Sequence, residues 1–307
     1  MKKYKPYLTR VDLVKNQVER ERIQEQEAAK KRKQRIQEQN RKNHLRYQEQ
    51  LRSEMAARYF HSVMSTGGEA DTFSNTKSLN FDGIDAYLTG ASNYTELNGT
   101  TKASWSIWLK PNLSGTQVIS RVSSSTSSTA FVYQFVILAS GEVFMQIGDT
   151  TRRSRTGTNV LTANVWSHIL VTYDGTLANG SKTKMFINGV DSTSTDTTAA
   201  TSLNPANYSL QIGRRDFGTV INYGGLMDEF ALWAGTDFRD DVDTIYNSGV
   251  PNDLNNNGLT APTTWYRMGD DATVVGDDIT IPDQIGTYNL TSEAMVAGDI
   301  QEDVPTN

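Results

Sequence analysis

Residues 166–175, WSHILVTYDG, are followed after a polar loop by residues 183–190, TKMFINGV. Ile169, Val171 and Tyr173 fall on one parity of the first run and His168 and Thr172 on the other, the alternation of a half-buried strand. Asp174-Gly175 and Asn179-Gly180 punctuate the loop between the runs, and Asn188-Gly189 is a two-residue turn signal that closes the second. The two runs therefore predict neighbouring antiparallel strands.

Working outward, further strand candidates recur at short intervals: 78–81, 86–88, 105–109, 118–122, 131–138 and 143–147 before the pair, then 210–212, 226–233, 264–268 and 287–290 after it. Ser/Thr/Asn/Gly loops separate them. Short strands without helical periodicity between them predict a mainly β, two-sheet antiparallel sandwich over residues 75–300. One helix is expected at 238–248. Thr236 or Asp237 can cap it, Phe238, Val242, Ile245 and Tyr246 share a face, and Gly249 with Pro251 stops it.

The N-terminal part has another character. Residues 11–60 lack Pro and Gly and are rich in Glu, Gln, Lys, Arg and Ala, which predicts a long α-helical arm over 1–64, with 65–74 as linker and 301–307 as tail. Its apolar residues form only two short stripes, Val11/Val14/Val18 and Leu51/Met55/Tyr59, too sparse for a sustained coiled coil. Those stripes are the expected docking points on a partner. Residues 1–60 carry 17 Lys/Arg against 8 Asp/Glu, whereas the remainder has 13 basic and 27 acidic residues. Such a split predicts two parts that meet different surroundings. Acids interleaved among the arm's bases argue against nucleic acid, and no run approaches the ~20 apolar residues of a membrane span. There is no cysteine, hence no disulfide or thiolate chemistry. The basic start lacks an apolar segment, so no secretory signal is expected.

SLNFDGIDAYL, SWSIWLKP, VWSHILVTYDG, KMFINGV, LQIGRR and GGLMDEFALWAG, in that order, resemble the laminin-G/pentraxin branch of the concanavalin A-like lectin and glucanase superfamily. The resemblance implies a jelly-roll sandwich with N- and C-terminal strands side by side. It leaves function open, because this fold hosts lectins, adhesion modules, glycosidases and inert spacers. It also implies that the Asp-Glu step at Asp228 can lie near a structural calcium, with the Asp82-Gly83 hairpin as neighbour. Backbone amides are the alternative partners. The helical, basic N-terminal part joined to this domain resembles tailed-bacteriophage virion proteins of the fibre or decoration kind.

Catalytic patterns are scarce. The alternating carboxylates E-x-D-x-x-E of retaining glucanases are missing, and Asp228 and Glu229, being adjacent, are expected on opposite sheet faces, with Asp228 towards the inter-sheet side. His168 is the only histidine after residue 61 and reads as a half-exposed strand residue. Asp253 to Gly258 resembles half a calcium loop, but Thr264 stands where a bidentate Glu is required, so an ordinary turn is expected. Trp105 and Trp108 fall on opposite parities, one for the core and one for an outer surface, where packing and sugar stacking are both open. Residues 151–155, TRRSR, and Arg214-Arg215 are basic clusters able to bind anionic glycan or to pair with nearby aspartates. The reading is a non-enzymatic virion structural protein, assembled in the host cytoplasm as an oligomer. Its arm would dock on other virion proteins and its sandwich would meet host-surface glycan or protein. A glycan-binding module of a cellular adhesion protein is the alternative.

Overall fold

The structure is a computed structural model that describes residues 73–306, apart from 124–130, 149–152, 157–158, 205–206 and the side chains of 153–156. The expected arm, with Val11, Val14, Val18, Leu51, Met55 and Tyr59, lies outside the described residues, as does most of the linker. Residues 73–307 form one of the chain's two units.

In chain order the strands are β1 (Ser78–Asp82), β2 (Tyr87–Gly90), β3 (Lys102–Pro111), β4 (Gln117–Ser123), β5 (Phe131–Ile137), β6 (Val143–Ile147) and β7 (Arg153–Thr156). Next come β8 (Ser167–Asp174), β9 (Thr183–Ile187), β10 (Val190–Asp191), β11 (Thr193–Asp196), β12 (Leu210–Ile212), β13 (Arg214–Arg215) and β14 (Ile221–Asn222). Strand β15 (Gly224–Ala234) precedes helix α1 (Val242–Tyr246), then β16 (Thr264–Tyr266), β17 (Thr273–Val275), β18 (Asp278–Ile281), β19 (Leu290–Glu293) and β20 (Ile300–Gln301).

Two antiparallel sheets form a sandwich. Sheet A runs β10-β9-β8-β3-β15-β1-β20, with β16 also on β15, and sheet B runs β11-β7-β6-β5-β4-β12-β2-β19-β18-β17. The first and last strands pair, Leu79 opposite Ile300, as the jelly-roll resemblance implied. The segment read as a tail belongs partly to the fold: Gln301 is in β20, and Asp303 binds Lys110, Trp166 Nε1 and, through its carbonyl, Ser78.

The hairpin predicted from sequence is present. Strand β8 pairs β9 with Ile169 opposite Ile187, and Asn188-Gly189 turns the chain into β10 with φ of 50° and 76°. Both central residues in the left-handed region are what a two-residue hairpin of this hand requires. Ile107, Leu109, Ile169, Val171 and Tyr173 from sheet A meet Phe135, Ile137, Val143, Met145 and Ile147 from sheet B in the main core. Each such side chain contributes ~1.5–3 kcal/mol through loss of apolar surface to water. A second apolar cluster lies outside sheet A, where Phe238, Val242, Ile245 and Leu254 cover Leu170, Ala231, Trp233 and Trp265.

The helix is shorter than expected. It spans Val242–Tyr246, because Asn247 and Ser248 already have positive φ and no side chain caps its start. Phe238 packs with it but precedes it. The strands unforeseen in the sequence, among them β7, β11, β13, β14 and β17, are short and polar, or exposed. They carry no alternation because only pairing with a neighbour makes them strands.

Candidate functional site

The outer face of sheet B carries a row of polar residues assembled by register. Arg153 is opposite Gln146, Gln146 opposite Gln134, and Gln134 opposite Arg121. The row continues from Arg121 to Gln211 and Thr89, then to Thr291, Thr280 and Thr273. Directly opposed residues share a sheet face, and the alternate residues Phe135 and Met145 point into the main core. The row is buried at Arg121, Gln134 and Gln146, half-buried at Gln211, Thr89 and Thr280, and exposed at Thr291 and Thr273. Gln134 Nε2 donates to Gln146 Oε1 at 3.2 Å.

Beside the row, Val118, Val136 and Phe144 form an apolar strip on which Ile221 packs. Ile221 belongs to the β13–β14 hairpin, which therefore folds against this face and brings the guanidinium groups of Arg214 and Arg215 near that of Arg121 on β4. Arg121, fully buried, donates to Ser123 Oγ and to Asp216 Oδ1 at 3.1 Å, and its guanidinium lies 4.8 Å from the Phe217 ring centroid. Burial pulls its pKa down to about 10, with Asp216 resisting, so it stays cationic at neutral pH. Arg215 faces the same ring at 5.1 Å, and Arg214 lies over Tyr87 at 4.7 Å. Gln211 Nε2 reaches Asp216 Oδ2 at 3.2 Å. The result is a polar floor with a cationic, aromatic edge, able to hydrogen-bond hydroxyls and to stack on a ring.

The outer face of sheet A is closed instead. Trp108 is only 5% exposed; its ring stacks on Tyr246 at 6.0 Å and tilts against His168 at 5.0 Å. Trp108 thus takes the packing role and is no sugar platform, while Trp105 is in the core as expected. His168 is 1% exposed, not half-exposed, because α1 and the Asn188-Gly189 turn cover it; a Cβ at Gly189 would come 2.7 Å from the Tyr246 ring. His168 Nε2 and Ser106 Oγ lie 2.8 Å apart, a contact invisible in sequence because the two residues come from different strands. It does not make a nucleophile and base: Nδ1 has no partner, and both groups are sealed from solvent. Burial alone pushes the His168 pKa down to about 3, which keeps the ring neutral.

Asp228 does not face the inter-sheet side. Glu229 has φ +50°, and the β15–β3 register shifts between Asp228 and Ala231, so one residue is extra. Met227, Phe230 and Leu232 consequently face the main core, and Asp228 stands opposite Trp108 on the outer side. Glu229 lies on that side too, not opposite: it accepts from Trp265 Nε1 at 2.6 Å and Arg267 Nε at 3.2 Å. Burial raises the Glu229 pKa to about 7 although Arg267 opposes it. Burial, aided by the Glu229 charge, raises Asp228 well above the carboxylate range. Asn75 Nδ2 donates to Asp228 Oδ2 at 2.8 Å, while Oδ1 of each is buried without a partner. The raised pKa keeps a proton on Asp228, and a carboxyl proton is the donor that the unpartnered Asn75 oxygen lacks.

Asp82 and Asp228 are not brought together. Asp82 pairs with Gly224, four residues along β15 from Asp228, which is roughly 13 Å of strand. Asp82 Oδ1 already accepts from the amides of Ile84, Asp85 and Ala86 at 2.8–3.1 Å. Burial works to raise its pKa, and these amides outweigh it. Neither residue supplies the six to eight oxygens calcium takes, and among the described residues no three acidic or histidine side chains gather to hold a metal. Asp253 forms an ordinary turn, accepting from Asn255 N and Asn256 Nδ2, while Thr264 bonds Tyr94 Oη at 2.9 Å. Among the described residues no helix is long and apolar enough to cross a membrane.

Comparisons with known proteins bear on the fold. No curated protein matches the chain. Its structure is similar to the native heptameric SAP-like pentraxin of Limulus polyphemus, with 14% identity, 56% of this chain and 82% of that one covered, and a TM-score of 0.46. It is similar to the CBM40 of the Ruminococcus gnavus IT-sialidase bound to alpha2,3 sialyllactose, with 14% identity, 55% and 96% covered, and a TM-score of 0.41. Domains LG4-5 of the mouse laminin alpha1 chain match at 12% identity over 52% and 41%, with a TM-score of 0.39. The Laminin_G_3 family, described as Concanavalin A-like lectin/glucanases superfamily, matches residues 82–242, just over half of the sequence. With its paired terminal strands, its two antiparallel sheets and that match, the chain belongs to the concanavalin A-like lectin/glucanases superfamily as a Laminin_G_3 protein.

Proposed function

We propose that the sandwich is a non-enzymatic carbohydrate-binding module displayed on a larger assembly, its saccharide lying along the outer face of sheet B. The observation that carries this is the reachable end of the row, Gln211–Thr89–Thr291–Thr280–Thr273, five half-buried or exposed side chains from five strands on one face. Amides and hydroxyls in a row match the hydroxyls of a saccharide, and the Tyr87 and Phe217 rings at its edge offer stacking surface. Two features support the absence of catalysis: the Ser106–His168 pair is sealed, and the Asp228–Glu229 pair is buried on the opposite sheet.

The setting is read from charge. A basic segment over 1–64 attached to an acidic sandwich suits a protein whose one end docks on its assembly while the other faces outward. The assembly is a tailed-phage particle, with the chain as a fibre or decoration protein that forms in the host cytoplasm and docks through residues 11–18 and 51–59. Saturation-transfer NMR of the full chain against a saccharide panel tests the first part. Binding that Gln211→Ala and Thr89→Val weaken supports it, and no binding by any saccharide refutes it. Mass spectrometry of purified particles tests the second; a particle without this chain refutes it.

A further inference from the structure

Resting on that carbohydrate reading, we infer that the ligand of the sheet B face is an acidic saccharide, bearing carboxylate or sulfate, held by Arg214 and Arg215. Beyond residue 60 the chain has 27 acidic and 13 basic residues, eight of them arginines. A cation in such surroundings readily finds a carboxylate. Arg239 pairs with Asp237 at 2.6 Å, and Arg267 pairs with Glu229, Asp270 and Asp271. Arg121 pairs with Asp216.

Arg214 and Arg215 differ. Among the described residues neither has an ion-pair partner; the polar contact shown for Arg215 is its donation to the Thr219 carbonyl at 3.2 Å. Nε of each is buried and without an acceptor. Both residues remain half-exposed. Their positions are set by the Tyr87 and Phe217 rings, which hold a planar cation without consuming its donors. A guanidinium fixed in this way offers paired N–H groups to a carboxylate or sulfate at little further entropic cost.

The surrounding charge agrees. Arg121 approaches the Phe217 ring as Arg215 does, so two cations share it and Asp216 offsets only one charge. Burial lowers the Arg215 pKa. Three of the eight arginines, Arg121, Arg214 and Arg215, are thereby gathered in or beside the row.

A glycan array probed with the full chain tests the inference. Its arms are neutral, uronate-bearing, sialylated and sulfated saccharides, read at 50 and 300 mM NaCl. The expected result is retention on one or more acidic arms, weakened by salt. R214Q/R215Q, with its fold checked by circular dichroism, should lower it on the order of tenfold or more. If the double variant fails to fold, the preference of the unaltered chain for acidic arms and its salt dependence still decide the matter. Equal or exclusive retention on neutral arms overturns the acidic assignment and leaves the carbohydrate reading standing. Acidic binding unaffected by R214Q/R215Q in a folded variant also overturns it. Retention on no arm removes both.

Discussion

The two sheets face one another across a single core, yet their outer faces have opposite fates. Outside sheet A, α1 and the chain after it bury Trp233, Trp265 and Trp108 and seal one imidazole and two carboxyls. Outside sheet B, the short β13–β14 hairpin covers only one strip and leaves a graded polar row. A sheet face becomes a second core or a binding surface according to what the following chain lays over it. The strands beneath are built alike, with apolar residues inward on both.

If this contrast holds, the faces should answer substitution very differently. Trp233 is 2% exposed, and its Nε1 donates to the Thr260 carbonyl. Trp233→Ala should cost ~3–5 kcal/mol in chemical denaturation, whereas Gln211→Ala should stay within ~1 kcal/mol. A similar cost for both would erase the distinction.

The sealed groups set the next effects. His168 has a folded pKa of about 3, below its unfolded 6.5, so the unfolded chain binds the extra proton. Its contribution is present above pH 6.5 and is lost as pH falls, by ~3 kcal/mol at pH 4. His168→Leu should remove that loss; melting curves at pH 4 and 7 that change equally in both proteins would contradict it.

Glu229 acts at the other end. Its folded pKa of about 7 lies above the ordinary 4.5, so the folded chain binds the extra proton. Its stabilising effect is complete below pH 4.5 and fades as pH rises to 7, by roughly 3 kcal/mol in all. Glu229→Gln should lessen the fall in stability between pH 5 and 8, part of which belongs to Asp228, and an unaltered slope would refute the assignment.

Smaller still is the effect expected at Asp228. If one proton serves Asp228 and Asn75 together, Asp228→Asn should cost less than ~1 kcal/mol, while Asp228→Ala should cost ~1–3 kcal/mol by leaving Asn75 unpaired. Equal costs would show that the proton is not held there. The smallest effect is that of calcium: melting temperatures in EDTA and in excess calcium should coincide, since neither Asp82 nor Asp228 has a shell of oxygens to offer. A rise with calcium would restore the metal expectation.

Much of the sandwich was legible in the residues. Alternation in 166–173 and 183–187 and the Asn188-Gly189 turn located β8, β9 and their connection, because period and turn geometry are local properties. The Arg214-Arg215 cluster was visible as well, and so was the scarcity of catalytic carboxylates. The row on sheet B was not. Thr89, Gln134, Gln211 and Thr291 are unremarkable polar residues, and nothing local distinguishes them from loop composition.

By itself, the sequence determined which segments could become strands and which side of most of them would be apolar. It also determined the basic–acidic split, since charge is composition. Tertiary structure alone decided the rest. A single extra residue at Glu229 turned Asp228 from the inter-sheet side to the outer one, since side chains alternate with period two and one insertion reverses them. The same long-range packing buried His168 beneath Tyr246 and aligned Gln134, Arg121, Gln211 and Thr89 across four strands. Register and cover are set between segments far apart in the chain, so neither is encoded in any stretch taken alone.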